Sequence, residues 1–234
     1  MGNSNFNENT RVQVPAALHL CKLGYTYLDN INTYDTKTNI LTDVFQNAVK
    51  RLNPSLSSQE VSLLFSKIVN VANNDDLGRE FYQMLSSNSG IKLIDFDNPE
   101  NNDWHVTTEF TCENEDTEDN FRPDITCFIN GMPLAFIEVK KPNNHEGILA
   151  ERERINTRMS KTCFRRFFNV TQLMIFSNNQ EYDNESRVPI QGAFYCSSAK
   201  GKAFFNVFRE ENKTFVTNYP YQEITDEDEY RVLK

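Results

Sequence analysis

The sequence predicts a mixed α/β fold: a β-sheet flanked by helices, with an additional helical insertion ahead of it. Three observations carry this. Apolar residues recur at helical spacing through much of the first 90 residues, short apolar runs bounded by turn residues dominate from Ile91 onward, and one long polar, helix-like stretch separates two of those runs. Strand, hairpin, helix, strand is an order that builds a sheet with helices packed against it.

Taken in order, residues 1 to 10 are polar, and a helix is expected from Thr10 to Leu23. Val12, Ala16, Leu20 and Leu23 share one face of it, and Pro15 is tolerated within its first turn. Gly24 closes this helix, and Tyr25 to Leu28 begins a strand. Two helices follow at 40–52 and 58–74. Ile40, Val44, Ala48 and Leu52 form the first stripe, while Val61, Leu64, Phe65, Ile68 and Val69 form the second. Ser57 with Glu60 supplies a capping box for the second helix. A third helix, Asp75 to Leu85, carries Leu77, Phe81 and Met84 inward. These stripes suit core packing that braces a sheet. Strands are then expected at Ile91–Phe96 and Trp104–Thr111, the latter leading through an acidic loop into a further pair. After Pro142 a helix is expected from Glu146 to Phe168, followed by strands at Gln172–Phe176 and Gly192–Cys196 and the apolar segment Phe204–Phe208.

The chemistry concentrates between Arg122 and Pro142. Ile125–Ile129 and Leu134–Val139 flank Asn130-Gly131, the strongest short hairpin signal. Side chains alternate along a strand, so Glu138 and Lys140 share a face while Val139 points into the core. Antiparallel pairing about the turn brings Asp124, at the start of the first strand, beside them at one edge of the sheet. Two carboxylates suit Mg²⁺, which uses one or two of them and keeps several waters, with Mn²⁺ able to substitute. A lysine next to such an ion can orient an attacking water or offset charge on a phosphate. The chemistry this suggests is phosphodiester hydrolysis, with Asp124, Glu138 and Lys140 as catalytic residues and the two acids as metal ligands.

Composition bounds the possibilities. A mean hydropathy of -0.60 and a hydrophobic fraction of 38% describe a soluble globular chain. No apolar run approaches the ~18 residues of a membrane span and no secretory signal opens the sequence, so no membrane partner and a cytoplasmic location are expected. The five cysteines are scattered, without metal-ligand spacing. A net charge of -9 opposes nucleic-acid binding through the long-range field. The acid is local, however, in 113–119 and 223–229. Between Arg152 and Arg166 six basic residues fall within fifteen positions, and Arg154, Arg158, Lys161 and Arg165 lie on one face of the expected helix. That stripe is a candidate track for a phosphate backbone, or else a solvated face with Glu151 and Glu153 pairing locally.

The Pro123-Asp124 pair with Glu138-Val139-Lys140 resembles the PD-(D/E)xK nuclease signature. The connecting FINGMPLAFIEVKKP, with the later QLMIFSNN, resembles the N-terminal nuclease domain of the restriction (motor) subunit of type I restriction-modification enzymes. The resemblance implies a restriction-endonuclease-like core, densest from Leu93 to Ala193, in which Asp124 and Glu138 bind metal and Lys140 assists the attacking water. It implies an N-terminal acid as well. Glu8 is the nearest match, and Gln13 occupies a position where other members carry an acid. The family's glutamine and tyrosine, four apart on the helix after the lysine, correspond to Glu153 and Thr157. The implied layout is a helical part at 1–90, a nuclease core at 91–215 and an acidic tail at 216–234 leading to a helicase motor. No GxxxxGK[ST] phosphate loop occurs here, so ATP would act only through that absent motor. The implied partners are double-stranded DNA and the methylation and specificity subunits. The alternatives are a catalytically silent assembly module, or a stand-alone repair nuclease of the same superfamily.

Overall fold

A computed structural model describes residues 12–87, 90–114, 120–142, 144, 146–180, 192–208 and 220–233. Its centre is a seven-stranded mixed sheet whose strands lie side by side in chain order. These are β1 (Thr26–Tyr27), β2 (Trp104–Thr108), β3 (Ile125–Ile129), β4 (Met132–Val139), β5 (Leu173–Ser177), β6 (Ala193–Cys196) and β7 (Asn206–Val207). The pairs β1–β2 and β4–β5 are parallel and the other four are antiparallel. The helices are α1 (Val14–Lys22), α2 (Thr42–Leu52), α3 (Ser58–Val71), α4 (Arg79–Ser86), α5 (Gly147–Met159), α6 (Arg165–Val170) and α7 (Asp226–Leu233).

Both faces of the central strands are covered. On one, Val106, Cys127 and Val139 pack with Ala17 and Cys21 of α1 and Val232 of α7. On the other, Phe136, Phe176 and Phe194 pack with Ile148 and Ile155 of α5 and with Phe164, Phe167 and Phe168. A separate cluster joins α2, α3 and α4 to Met132 and Leu134 near the hairpin turn. The mixed sheet flanked by helices is therefore as the sequence predicts, and so is the capping box, where Ser57 Oγ accepts the Glu60 N–H and a Glu60 carboxylate oxygen accepts the Ser57 N–H.

The Asn130-Gly131 hairpin also forms, with Ile129 opposite Met132. Asn130 is fully buried and left-handed. Its amide donates to Leu93 O and Asn102 Oδ1, and its own Oδ1 accepts the Asp103 N–H.

Three local expectations change. Ile91–Phe96 forms no strand, because the Asp95 carboxylate accepts the N–H groups of Asp97 and Asn98 and bends the chain. The third helix begins at Arg79 rather than Asp75, since the Asp76 carboxylate accepts the N–H groups of Gly78 and Glu80, and Leu77 is left 46% exposed. The long helix after Pro142 is broken. α5 stops at Met159, Lys161 is extended, a 3₁₀ turn covers Thr162–Phe164, and α6 follows. The reason lies in the core: Ile155 and Phe164 are both buried, yet nine residues of continuous helix would set them on opposite sides.

Candidate active site

The site is built by the register of β3 on β4. Ile125 lies opposite Ile137, so Asp124 falls opposite Glu138, beyond the hydrogen-bonded ladder. Asp124 is fixed through both its side chain and its backbone. Its Oδ2 accepts the Val139 N–H at 2.8 Å, and its backbone oxygen accepts from Gln13 Nε2 at 2.6 Å. Lys140 continues β4 by donating its own N–H to Ser177 O at 2.7 Å, while its ammonium donates to Val139 O at 2.8 Å. The ammonium then lies 3.6 Å from Asp124 Oδ2 and 4.0 Å from Glu138 Oε2. The sequence places these three residues at one edge of the sheet. They stand instead at the ends of its third and fourth strands, roofed by α5.

Glu138 is only 4% exposed, and its Oε1 is buried without a hydrogen-bond partner. Burial pushes its carboxyl well above the ordinary glutamate range, and the neighbouring Asp124 and Glu151 charges push it further; Lys140 pulls the other way. An orphaned carboxylate oxygen opposite a second carboxylate is a donor set for a hard divalent cation. Asp124 and Glu138 could hold Mg²⁺ with water completing its shell. Among the described residues, no group of three His, Cys, Asp or Glu side chains is placed to hold an ion by itself.

The sequence reasoning missed Glu151, reading it as a surface acid. It is 4% exposed, with Oε2 3.7 Å from Lys140 Nζ and 2.9 Å from Arg154 Nη1. The signal was available: Ile148, Glu151 and Ile155 recur at i, i+3 and i+7, placing an acid on the apolar stripe of α5. Glu153, the expected match to the family's glutamine, instead pairs with Arg152 at 3.0 Å with its side chain 63% exposed, and Thr157 donates to the Glu153 backbone oxygen. Glu8 lies outside the described residues. Glu109 pairs with Arg122 at 3.7 Å on the surface.

The basic stripe does not survive the break after α5, which ends the expectation of four cations along one helix face. Arg154 and Arg158 remain on α5. The first is well exposed, whereas Arg158 lies over the Phe121 ring at 4.5 Å, with its guanidinium 3.8 Å from Glu151 Oε1. Lys161 and Arg165 line a separate small cavity of about 140 Å³, where Arg165 reaches Asn73 O at 3.4 Å and Asp75 at 3.9 Å.

Residues 5–183 match the family described as the N terminus of the type I restriction enzyme R protein. The chain is also 30% identical, over 166 residues, to a protein of Methanocaldococcus jannaschii named "Putative type I restriction enzyme MjaIXP endonuclease subunit". That alignment covers 61% of this chain and 16% of the relative's length. With the family model spanning most of its length, the chain belongs to the type I restriction enzyme R protein N-terminal family.

Proposed function

We propose that this chain is the Mg²⁺-dependent endonuclease domain of a type I restriction enzyme R subunit. It hydrolyses phosphodiester bonds of double-stranded DNA after ATP-driven translocation by a motor outside these 234 residues. The observation that carries this is the buried, unpartnered Glu138 oxygen opposite Asp124, with the Lys140 ammonium within 4.0 Å of both acids. The ion that Asp124 and Glu138 would hold supplies Lewis acidity toward the phosphoryl oxygen and the attacking water. Lys140 has two roles here: it donates a hydrogen bond that orients the water, and it offsets charge that develops on the phosphate. Asp124 is kept at its post by Gln13 and the Val139 N–H. In this reading the cut itself is indifferent to sequence, with recognition left to specificity subunits. The name of the archaeal relative supports the same reading.

The experiment is restriction of unmodified DNA by the full-length parent complex, with Lys140→Ala compared with wild type and ATP hydrolysis followed in parallel. Cutting should fall by about 10³-fold or more, ~4 kcal/mol of barrier, while the ATPase is unchanged. Undiminished cutting would leave this domain a scaffold.

Arg154, exposed on α5, should behave differently from the displaced Arg165. Arg154→Ala is expected to weaken DNA binding by less than about tenfold and to lower the salt slope by about one, the signature of a lost phosphate contact. Arg165→Ala, which removes an internal tie to Asn73 and Asp75, should leave the slope alone. Equal salt slopes for Arg154→Ala and wild type would remove α5 from the DNA track.

A further inference from the structure

We infer that Glu151 is the positioning residue for Lys140, retaining its ammonium at the site when the acid pair is engaged by a cation. This rests on the nuclease reading. β4 fixes the backbone of Lys140 and accepts one bond from its ammonium at Val139 O, but the four-carbon stem between them is flexible and Val139 O carries no full charge to hold a cation. Three carboxylates surround the ammonium at similar distances, Asp124 at 3.6 Å, Glu151 at 3.7 Å and Glu138 at 4.0 Å. They do not have equal futures. Once Asp124 and Glu138 turn their oxygens toward a divalent cation, their pull on the ammonium weakens, and the cation itself repels it. Glu151 is then the anion left to retain Lys140. It arrives from α5 rather than from the two strands that carry the acid pair, and two arginines hold it. Arg154 bonds its Oε2 at 2.9 Å, and Arg158 lies 3.8 Å from Oε1. A carboxylate 4% exposed on an otherwise apolar helix stripe is costly to keep unless it is paired, and here all its cationic partners converge on it. The same contacts tie the exposed Arg154 to the lysine through one carboxylate.

The test uses this chain labelled with ¹⁵N-lysine in the presence of Mg²⁺, with the Lys140 ammonium signal assigned by its loss in Lys140→Arg. In wild type the ammonium should exchange slowly. In Glu151→Gln its exchange should quicken at least about tenfold, with Mg²⁺ affinity by calorimetry within about threefold of wild type. Glu151→Asp, which keeps the charge, should retain most of the slow exchange and guards against a variant that fails to fold. In the parent complex Glu151→Gln should lose about 100-fold in kcat with KM for DNA nearly unchanged, the cost of a reacting group displaced by about 1 Å. Four results would overturn the inference: a Lys140 ammonium as fast as a surface lysine's in wild type, an unchanged one in Glu151→Gln, full cutting by Glu151→Gln where Lys140→Ala is dead, or loss of Mg²⁺ binding, which would make Glu151 a ligand. Failure of the nuclease reading shows itself differently, as full cutting by Lys140→Ala.

Discussion

Glu138→Gln should stabilise the metal-free chain at pH 8 while abolishing cleavage by the parent complex. Both halves come from one buried carboxyl. In the fold, burial first, then the Asp124 and Glu151 charges, raise its pKa above that of an unfolded glutamate. The native state therefore holds this proton more tightly than the unfolded state does. Its contribution to stability is intact below about pH 4.3, the unfolded value, and is lost as pH rises toward and through the raised native value. Glutamine carries no charge to bury, so the variant escapes that loss. The two proteins should melt almost together at pH 4. They should separate as pH rises, by about 1–2 kcal/mol at pH 8, or about 2–4 °C for each kcal/mol in a chain of this size. Mg²⁺ should raise the wild-type melting temperature and leave the variant's unchanged, since a ligand stabilises only the state that binds it. Cutting should fall about 10³-fold or more. Parallel melting curves across pH, with EDTA present, would show that Glu138 is not strained by its site.

Gly131→Ala should be the most damaging small substitution in the hairpin. Gly131 sits at φ +77°, where a side chain is disfavoured. An added Cβ would also stand 2.6 Å from Leu41 O and 2.8 Å from Phe45 N, backbone atoms at the start of α2. Those atoms cannot rotate away as a side chain would. Leu41 N–H donates to Gly131 O at 2.8 Å, so α2 is docked directly on the turn. Moving it disturbs Phe45, which is fully buried among α2, α3 and α4. The left-handed backbone and the forced displacement together should cost about 3 kcal/mol or more, measured by denaturant unfolding. Because Asp124 and Glu138 sit at the far end of the same two strands, a slipped turn also misaligns the acids. A loss below about 1 kcal/mol would mean that the turn and α2 are less tightly joined than they stand here.

The sequence by itself determined the class of fold, the hairpin about Asn130-Gly131, and the meeting of Asp124, Glu138 and Lys140. All three follow from local rules: the two-residue period of a strand, the backbone demanded by a tight turn, and the symmetry of antiparallel pairing. Even the overlooked Glu151 was legible as an acid on the apolar stripe of a short helix. Tertiary structure decided what periodicity cannot. A continuous helix from Glu146 to Phe168 satisfies local propensity, but Ile155 and Phe164 must both enter the core beneath Phe136 and Phe176, so the chain breaks between them and carries Lys161 and Arg165 away from Arg154 and Arg158. Asp95 and Asp76 likewise turn their carboxylates on nearby N–H groups where apolar spacing alone suggests a strand and an earlier helix start. The depth of Glu138 was also hidden, because α5 packs on its face of the sheet while α1 packs on that of Val139, and both residues are buried. Burial by a helix that starts nine residues after Glu138 is a property of packing, and it is burial that raises the affinity of that carboxyl for a proton.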